Sequence, residues 1–226
     1  MKKTTFLWCC LLASATVLGQ ETARTDSFSK KGYQLIVIDK TTDLDPNVKQ
    51  RMVDAFFVVY PKLAKAYNKK TLKRVTFIYD PAYTGVAECA NGRITYSPTW
   101  LKRNPNDIDM VTHETMHIVQ SYPWGAGPGW ITEGIADYVR HTTGVDNKGG
   151  GWSLPEFKKE HSYENAYRVT ARFLLWIEQT KKKGFVKKLD AAMRTKTYSP
   201  AIWAELTGKN VDELWKEYSE NPTVKL

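Results

Sequence analysis

Two histidines, His113 and His117, stand four residues apart in DMVTHETMHIVQ (residues 109–120), and Glu114 follows the first of them directly. On a helix, four residues make just over one turn, so both imidazoles project from one face and can converge on a single cation. Glu114 then lies beside them, placed to take a proton from water activated by that cation. The pattern H-E-x-x-H alone also arises in unrelated helices, so a third ligand decides the matter. WITEGIADYVRH (130–141) supplies it: Glu133 and Asp137 are again four apart on one face. Glu133 completes a two-histidine, one-carboxylate set suited to Zn2+, which leaves one coordination position open for catalysis. Asp137 can bond the free ring nitrogen of one histidine, His113 in this reading, and so fix its tautomer. Gly134 fits a close approach of two helices, since glycine inside a helix costs about 1 kcal/mol relative to alanine.

Other ligands fare worse. A metzincin needs histidine six residues after His117, but Pro123 stands there, and Gln120 occupies the expected glycine position. His141 lies roughly 12 Å along the helix from Glu133 at helical rise, so the two cannot bind one ion. His161 remains as a residue on the substrate side.

Three segments, VTHETMHIVQ, GPGWITEGIADYVR and AYRVTARFLLWIEQ, closely resemble the basic secretory protein family of plants and bacteria, proposed zinc peptidases of the gluzincin, zincin-like group. The resemblance runs from about Tyr33 to Trp215. It implies a zincin-like fold, with a small twisted sheet over the active-site helix and a mostly helical C-terminal half. It also implies zinc ligation by His113, His117 and Glu133, with Glu114 as general base. Tyr167 opens a helix that resembles the tyrosine-led helix after the zinc glutamate in some gluzincin aminopeptidases. It is therefore the candidate oxyanion donor, with Tyr163, four residues earlier, as the alternative.

The elements that must position these residues are legible in part. YQLIVID (33–39) and RVTFIYD (74–80) read as strands. Asp45-Pro46 opens a helix with Val48, Met52, Phe56, Val59 and Leu63 on one face. Residues 83–97 form a hairpin turning at Asn91-Gly92. Asn104-Pro105 is expected to cap the helix of the motif, with Asp107 and Asp109 in its first turn. Further helices are expected at about 130–141, 163–181, 184–194, 199–206 and 210–219, with residues 20–32 a loose lead-in. Strands early and helices late make an α+β domain. The strand Arg93–Ser97 is expected to be the sheet edge to which a peptide adds, with Trp100, Tyr122, Trp124, Trp130 and Trp152 lining the cleft.

Composition bounds the rest. Met1-Lys2-Lys3 followed by TTFLWCCLLASATVLGQ reads as a secretory signal peptide, residues 1–19, ahead of one domain over residues 20–226. Acylation of Cys9 or Cys10 is the lesser alternative. Export to the periplasm or outside the cell follows, without a permanent membrane anchor. Cleavage would leave Cys89 as the single cysteine and lower the net charge from +9 to +7 as Lys2 and Lys3 depart. The lysines are scattered along amphipathic helices and accompany no nucleic-acid motif, so nucleic acid is not the expected partner. The reading is a monomeric zinc peptidase acting on peptide or protein substrates. A non-catalytic zinc module that binds peptide or cell-wall polymer is the alternative.

Overall fold

The computed structural model describes residues 23–41 and 43–226. The signal-peptide reading for residues 1–19 lies outside the described residues. Five strands form one mixed sheet: β1 (Arg24–Lys30), β2 (Tyr33–Asp39), β3 (Arg74–Tyr79), β4 (Ala87–Ala90) and β5 (Arg93–Tyr96), in the spatial order β1-β2-β3-β5-β4. β2, β3 and β5 run parallel, while β1 and β4 pair antiparallel at the two edges.

The strand β1 replaces the loose lead-in expected there. Its residues are mostly exposed, so it has no buried face to create a pattern, and main-chain pairing to β2 holds it. The turn between them, Lys31-Gly32, has φ of 54° and 75°, the left-handed pair that a two-residue hairpin requires. Asn91-Gly92 turns β4 into β5 in the same way, with φ of 50° and 73°.

Helix α1 (Pro46–Ala66) connects β2 to β3. The Asp45 carboxylate accepts from the Asn47 amide, and Pro46 occupies the first turn, where its missing N–H costs nothing. All five apolar positions expected on its inner face are buried. Phe56 stacks on Tyr60 and meets Phe77 edge to face, and Phe77 meets Tyr96 likewise. This layer joins α1 to the sheet.

A short helix, α2 (Pro98–Arg103), follows β5, and Asn104 closes it. Asn104-Pro105 therefore ends one helix and does not open the next. The motif helix α3 (Met110–Gln120) starts only after Asp109, whose side chain does not cap it. Both acids expected in its first turn serve tertiary bonds. Asp107 accepts from Arg140 at 2.5 Å and from the Trp100 indole at 3.0 Å. Asp109 accepts from the amides of Val145 and Asp146 at 2.7 and 2.5 Å. Sequence alone cannot separate a helix-capping acid from one holding a distant loop.

The remaining elements are helical: α4 (Gly129–Thr143), α5 (Tyr167–Thr180), α6 (Phe185–Arg194), α7 (Ala201–Thr207) and α8 (Val211–Glu220). The helix expected at 163–181 is broken. A single 3-10 turn, Tyr163–Asn165, precedes Ala166 and Tyr167, whose φ values of 61° and 47° reverse the chain before α5 begins. Phe173, Trp203, Trp215 and Tyr218 pack as an aromatic cluster beneath these helices. The architecture is α+β, with an N-terminal mixed sheet and a helical C-terminal half.

Candidate metal centre and its cleft

Ten of the eleven residues of α3 are buried, with His117 only partly so. The helix is wedged between α1 and α4 and lies along β4. That burial makes its inward polar groups expensive unless each finds a partner.

Each histidine is held from behind. The Asp137 carboxylate, one helix away on α4, lies 2.7 Å from Nδ1 of His113. The Gln120 amide oxygen lies 2.7 Å from Nδ1 of His117. Both partners accept, so both Nδ1 atoms carry the hydrogen, and both Nε2 lone pairs point inward. Those two Nε2 atoms are 3.1 Å apart. Glu133 Oε2 lies 3.2 Å from the first and 3.5 Å from the second. Three donors with nothing positive between them repel one another, and a cation among them removes the repulsion. A tetrahedral ion with bonds of about 2.0–2.1 Å has ligand-to-ligand edges of about 3.3 Å, which fits the observed triangle. The donor chemistry and its spacing therefore suit zinc.

Electrostatics tell the same story. Burial pulls the His113 pKa down, but hydrogen bonds to Asp137 and Glu133 outweigh it and push the ring up to about 10. The carboxylates around the ring thus favour positive charge at this place. Burial raises Glu133, yet its close contacts with the His113 and His117 rings override it and bring the carboxyl down to about 2. Burial dominates for Glu114, holding its pKa above the usual carboxylate value. A carboxylate moved toward neutrality is better matched to proton transfer.

These side chains open onto a cleft of about 1110 Å³, whose wall includes Glu88, Cys89, Glu114, Tyr122, Trp152 and Tyr167. The Tyr167 ring stacks against His113 with centroids 6.1 Å apart and is 54% exposed. Negative charge on Glu133, then desolvation, raises its hydroxyl pKa, so it stays a proton donor. Its positive φ, beside that of Ala166, is the kind of backbone strain that concentrates at functional sites.

Several expectations need correction. Tyr163 does not line the cleft: the chain reversal at Ala166 separates it from Tyr167, and its hydroxyl donates to Asp212 at 2.8 Å. It is a packed aromatic against Trp130 and Trp215. Trp130 packs on Trp203, and Trp124 is 95% exposed; neither lines the cleft, whereas Trp100, Tyr122 and Trp152 do. The strand Arg93–Ser97 is interior to the sheet. β4 is the edge, and its Ala87, Glu88 and Cys89 border the cleft. Gly134 is needed for α5 and not for α3, because a Cβ there would lie 2.3 Å from the Thr170 methyl. His161 lies off the cleft, its Nδ1 accepting from the Lys158 amide.

Gln120 was legible only as a failed metzincin glycine, although its i,i+3 spacing from His117 could have flagged it. Its amide N–H2 also donates to the Thr132 carbonyl at 2.9 Å, one residue before Glu133. One side chain thus sets the His117 ring and ties α3 to the backbone that carries Glu133. Gln120→Leu should weaken zinc binding about 10–100-fold, read by chelator competition. An unchanged affinity would reduce Gln120 to packing.

Comparison with curated proteins returns no match. Among solved structures, a two-domain M1 zinc metallopeptidase bound to L-arginine superimposes with a TM-score of 0.54 at 12% identity, covering 90% of this chain and 52% of that one. An M1 zinc metallopeptidase from Deinococcus radiodurans gives 0.51 at 13% identity, covering 90% and 52%. An aminopeptidase N family protein from Idiomarina loihiensis gives 0.52 at 9% identity, covering 87% and 46%. The chain spans about half the length of these structures, and the likeness is one of fold. The sequence profile of the BSP family, peptidases of plants and bacteria, matches residues 26–218. Supported by that span, the chain belongs to the BSP family.

Proposed function

We propose that this protein is an exported zinc-dependent peptidase in which His113, His117 and Glu133 hold the ion and Glu114 is the general base. The observation that carries the reading is the inward convergence of two Nε2 lone pairs and one carboxylate oxygen, within 3.5 Å of one another, beside the buried Glu114. Bound among those donors, zinc would supply a Lewis acid for the scissile carbonyl and lower the pKa of water toward neutrality.

The chain's own groups do the remaining work. Glu114 accepts the proton of the attacking water and returns it to the leaving amine. Asp137 and Gln120 keep both imidazoles in the tautomer that presents Nε2. Tyr167 donates to the oxygen on which negative charge develops, a contact whose loss typically costs about 10²–10³-fold in rate. Tyr167→Phe should show that loss in kcat with little change in KM. The exposed main chain of β4 offers hydrogen bonds to an extended peptide. Export rests on the leader-like residues 1–19.

The test is metal analysis of the purified protein together with a mixed-peptide digest, with and without chelator. Near-stoichiometric zinc and chelator-sensitive cleavage are expected. Cleavage indifferent to chelator would sink the metal-dependent reading.

A further inference from the structure

A second concavity, of about 780 Å³, shares no residue with the metal-site cleft. It lies at the end of the sheet where the β1–β2 turn meets the loop from α1 to β3, and Lys30, Lys31, Lys73 and Arg74 line it with no acid among its walls. Lys69 and Lys70 precede it in the same loop, both exposed.

Its cations are held by neutral partners. Lys73 Nζ sits 4.4 Å above the Tyr33 ring, Arg74 Nε donates to Oε1 of the Gln34 side chain at 2.7 Å, and Lys31 Nζ reaches the Phe57 main-chain carbonyl at 3.5 Å. Elsewhere Lys40, Lys49, Lys102 and Lys181 each pair with a carboxylate. Among the described residues, none of the groove's cations has such a partner. The groove's positive charge is positioned yet not neutralised, an arrangement that favours an external anion.

One further feature selects among anions. Leu72 stands in this ring of cations and is 49% exposed. It is propped on the β4–β5 turn, where a Cβ on Gly92 would lie 2.5 Å from its Cδ1. A soluble polyanion has no use for an apolar side chain at that place. A bilayer does, because phosphate headgroups meet the cations while the leucine reaches the acyl boundary. No helix among the described residues is long and apolar enough to cross a membrane, so the contact would be peripheral.

We propose that this groove docks the protein onto an anionic phospholipid surface, with headgroup phosphates between Lys31, Lys73 and Arg74 and Leu72 as the apolar contact. The test is co-sedimentation of the purified protein with phosphatidylcholine vesicles, with and without phosphatidylglycerol, at low and high salt. Partitioning should require phosphatidylglycerol and fall with salt. Each cation near such a surface is worth about fivefold in partitioning, so Lys31→Glu/Lys73→Glu should lose about 25-fold or more. Lys182→Glu/Lys183→Glu changes net charge equally and should lose far less. Leu72→Ser should lose about fivefold at unchanged charge.

Equal losses from the two lysine pairs would mean that bulk charge is responsible and overturn the site. So would equal partitioning into neutral vesicles. If Leu72→Ser binds vesicles like wild type while inorganic polyphosphate binds with the same dependence on Lys31 and Lys73, the ligand is a soluble phosphate polymer and the bilayer assignment falls. Melting temperatures matched to wild type exclude misfolding as the cause of any loss.

Discussion

Glu114→Ala is expected to lower peptide hydrolysis about 10²–10⁴-fold, the usual contribution of a positioned general base, while zinc content and melting temperature stay near wild type. The separation of the two readouts follows from how Glu114 sits. It is buried, burial raises its pKa, and no hydrogen bond contributes to its shift. Shortening it therefore orphans no donor and relieves a desolvation cost. His113, His117 and Glu133 keep their own partners, so the donor triangle survives. Initial-rate assays beside thermal melts and metal analysis check the outcome. Hydrolysis at the wild-type rate would remove the general-base role. A parallel fall in stability and zinc would mean that Glu114 props up the site.

Gly134→Val should produce the largest loss of stability among single changes near the site. An added Cβ would stand 2.3 Å from Cγ2 and 2.7 Å from Cβ of Thr170. Thr170 cannot yield easily: it is fully buried, and its hydroxyl donates to the Tyr163 carbonyl at 2.6 Å. Among the described residues, the helices α4 and α5 share the most extensive contact between elements, so the strain must be taken up by moving one of them. Overpacking of this kind costs about 1–3 kcal/mol, occasionally more. For a chain of this size that lowers the melting temperature by about 2–12 °C. Glu133 precedes Gly134 on the displaced helix, so zinc affinity should fall as well. Melting by circular dichroism and a chelator-competition titration measure both effects. A valine variant melting with wild type would show that α4 and α5 part without cost and that the glycine is incidental.

Much of this site could be read without coordinates, for a physical reason. His113, His117 and Glu114 are related by helical geometry within one turn, and Glu133 and Asp137 within another. Spacing alone specifies which side chains share a face. The five buried positions of α1 and the Asn91-Gly92 turn are local in the same sense, since each is set by a few neighbouring dihedrals. Strand β1 escaped notice because it buries no face; the cap assigned to Asn104-Pro105 failed because Asn104 closes α2, and Asp107 and Asp109 answer instead to Arg140 and to the loop beyond Gly144.

The sequence by itself therefore determined the chemistry available: two imidazoles and three carboxylates, on helices that follow an early sheet. Only the tertiary structure decided how those pieces face one another. It made β4 the edge and buried β5 inside the sheet, because strand order depends on pairing between distant segments. It separated Tyr167 from Tyr163 through two left-handed residues whose identities, tyrosine and alanine, give no warning of such a turn. It gave Gly134 to α5 and Gln120 to His117, because a close approach or a hydrogen bond exists only once both surfaces are in place.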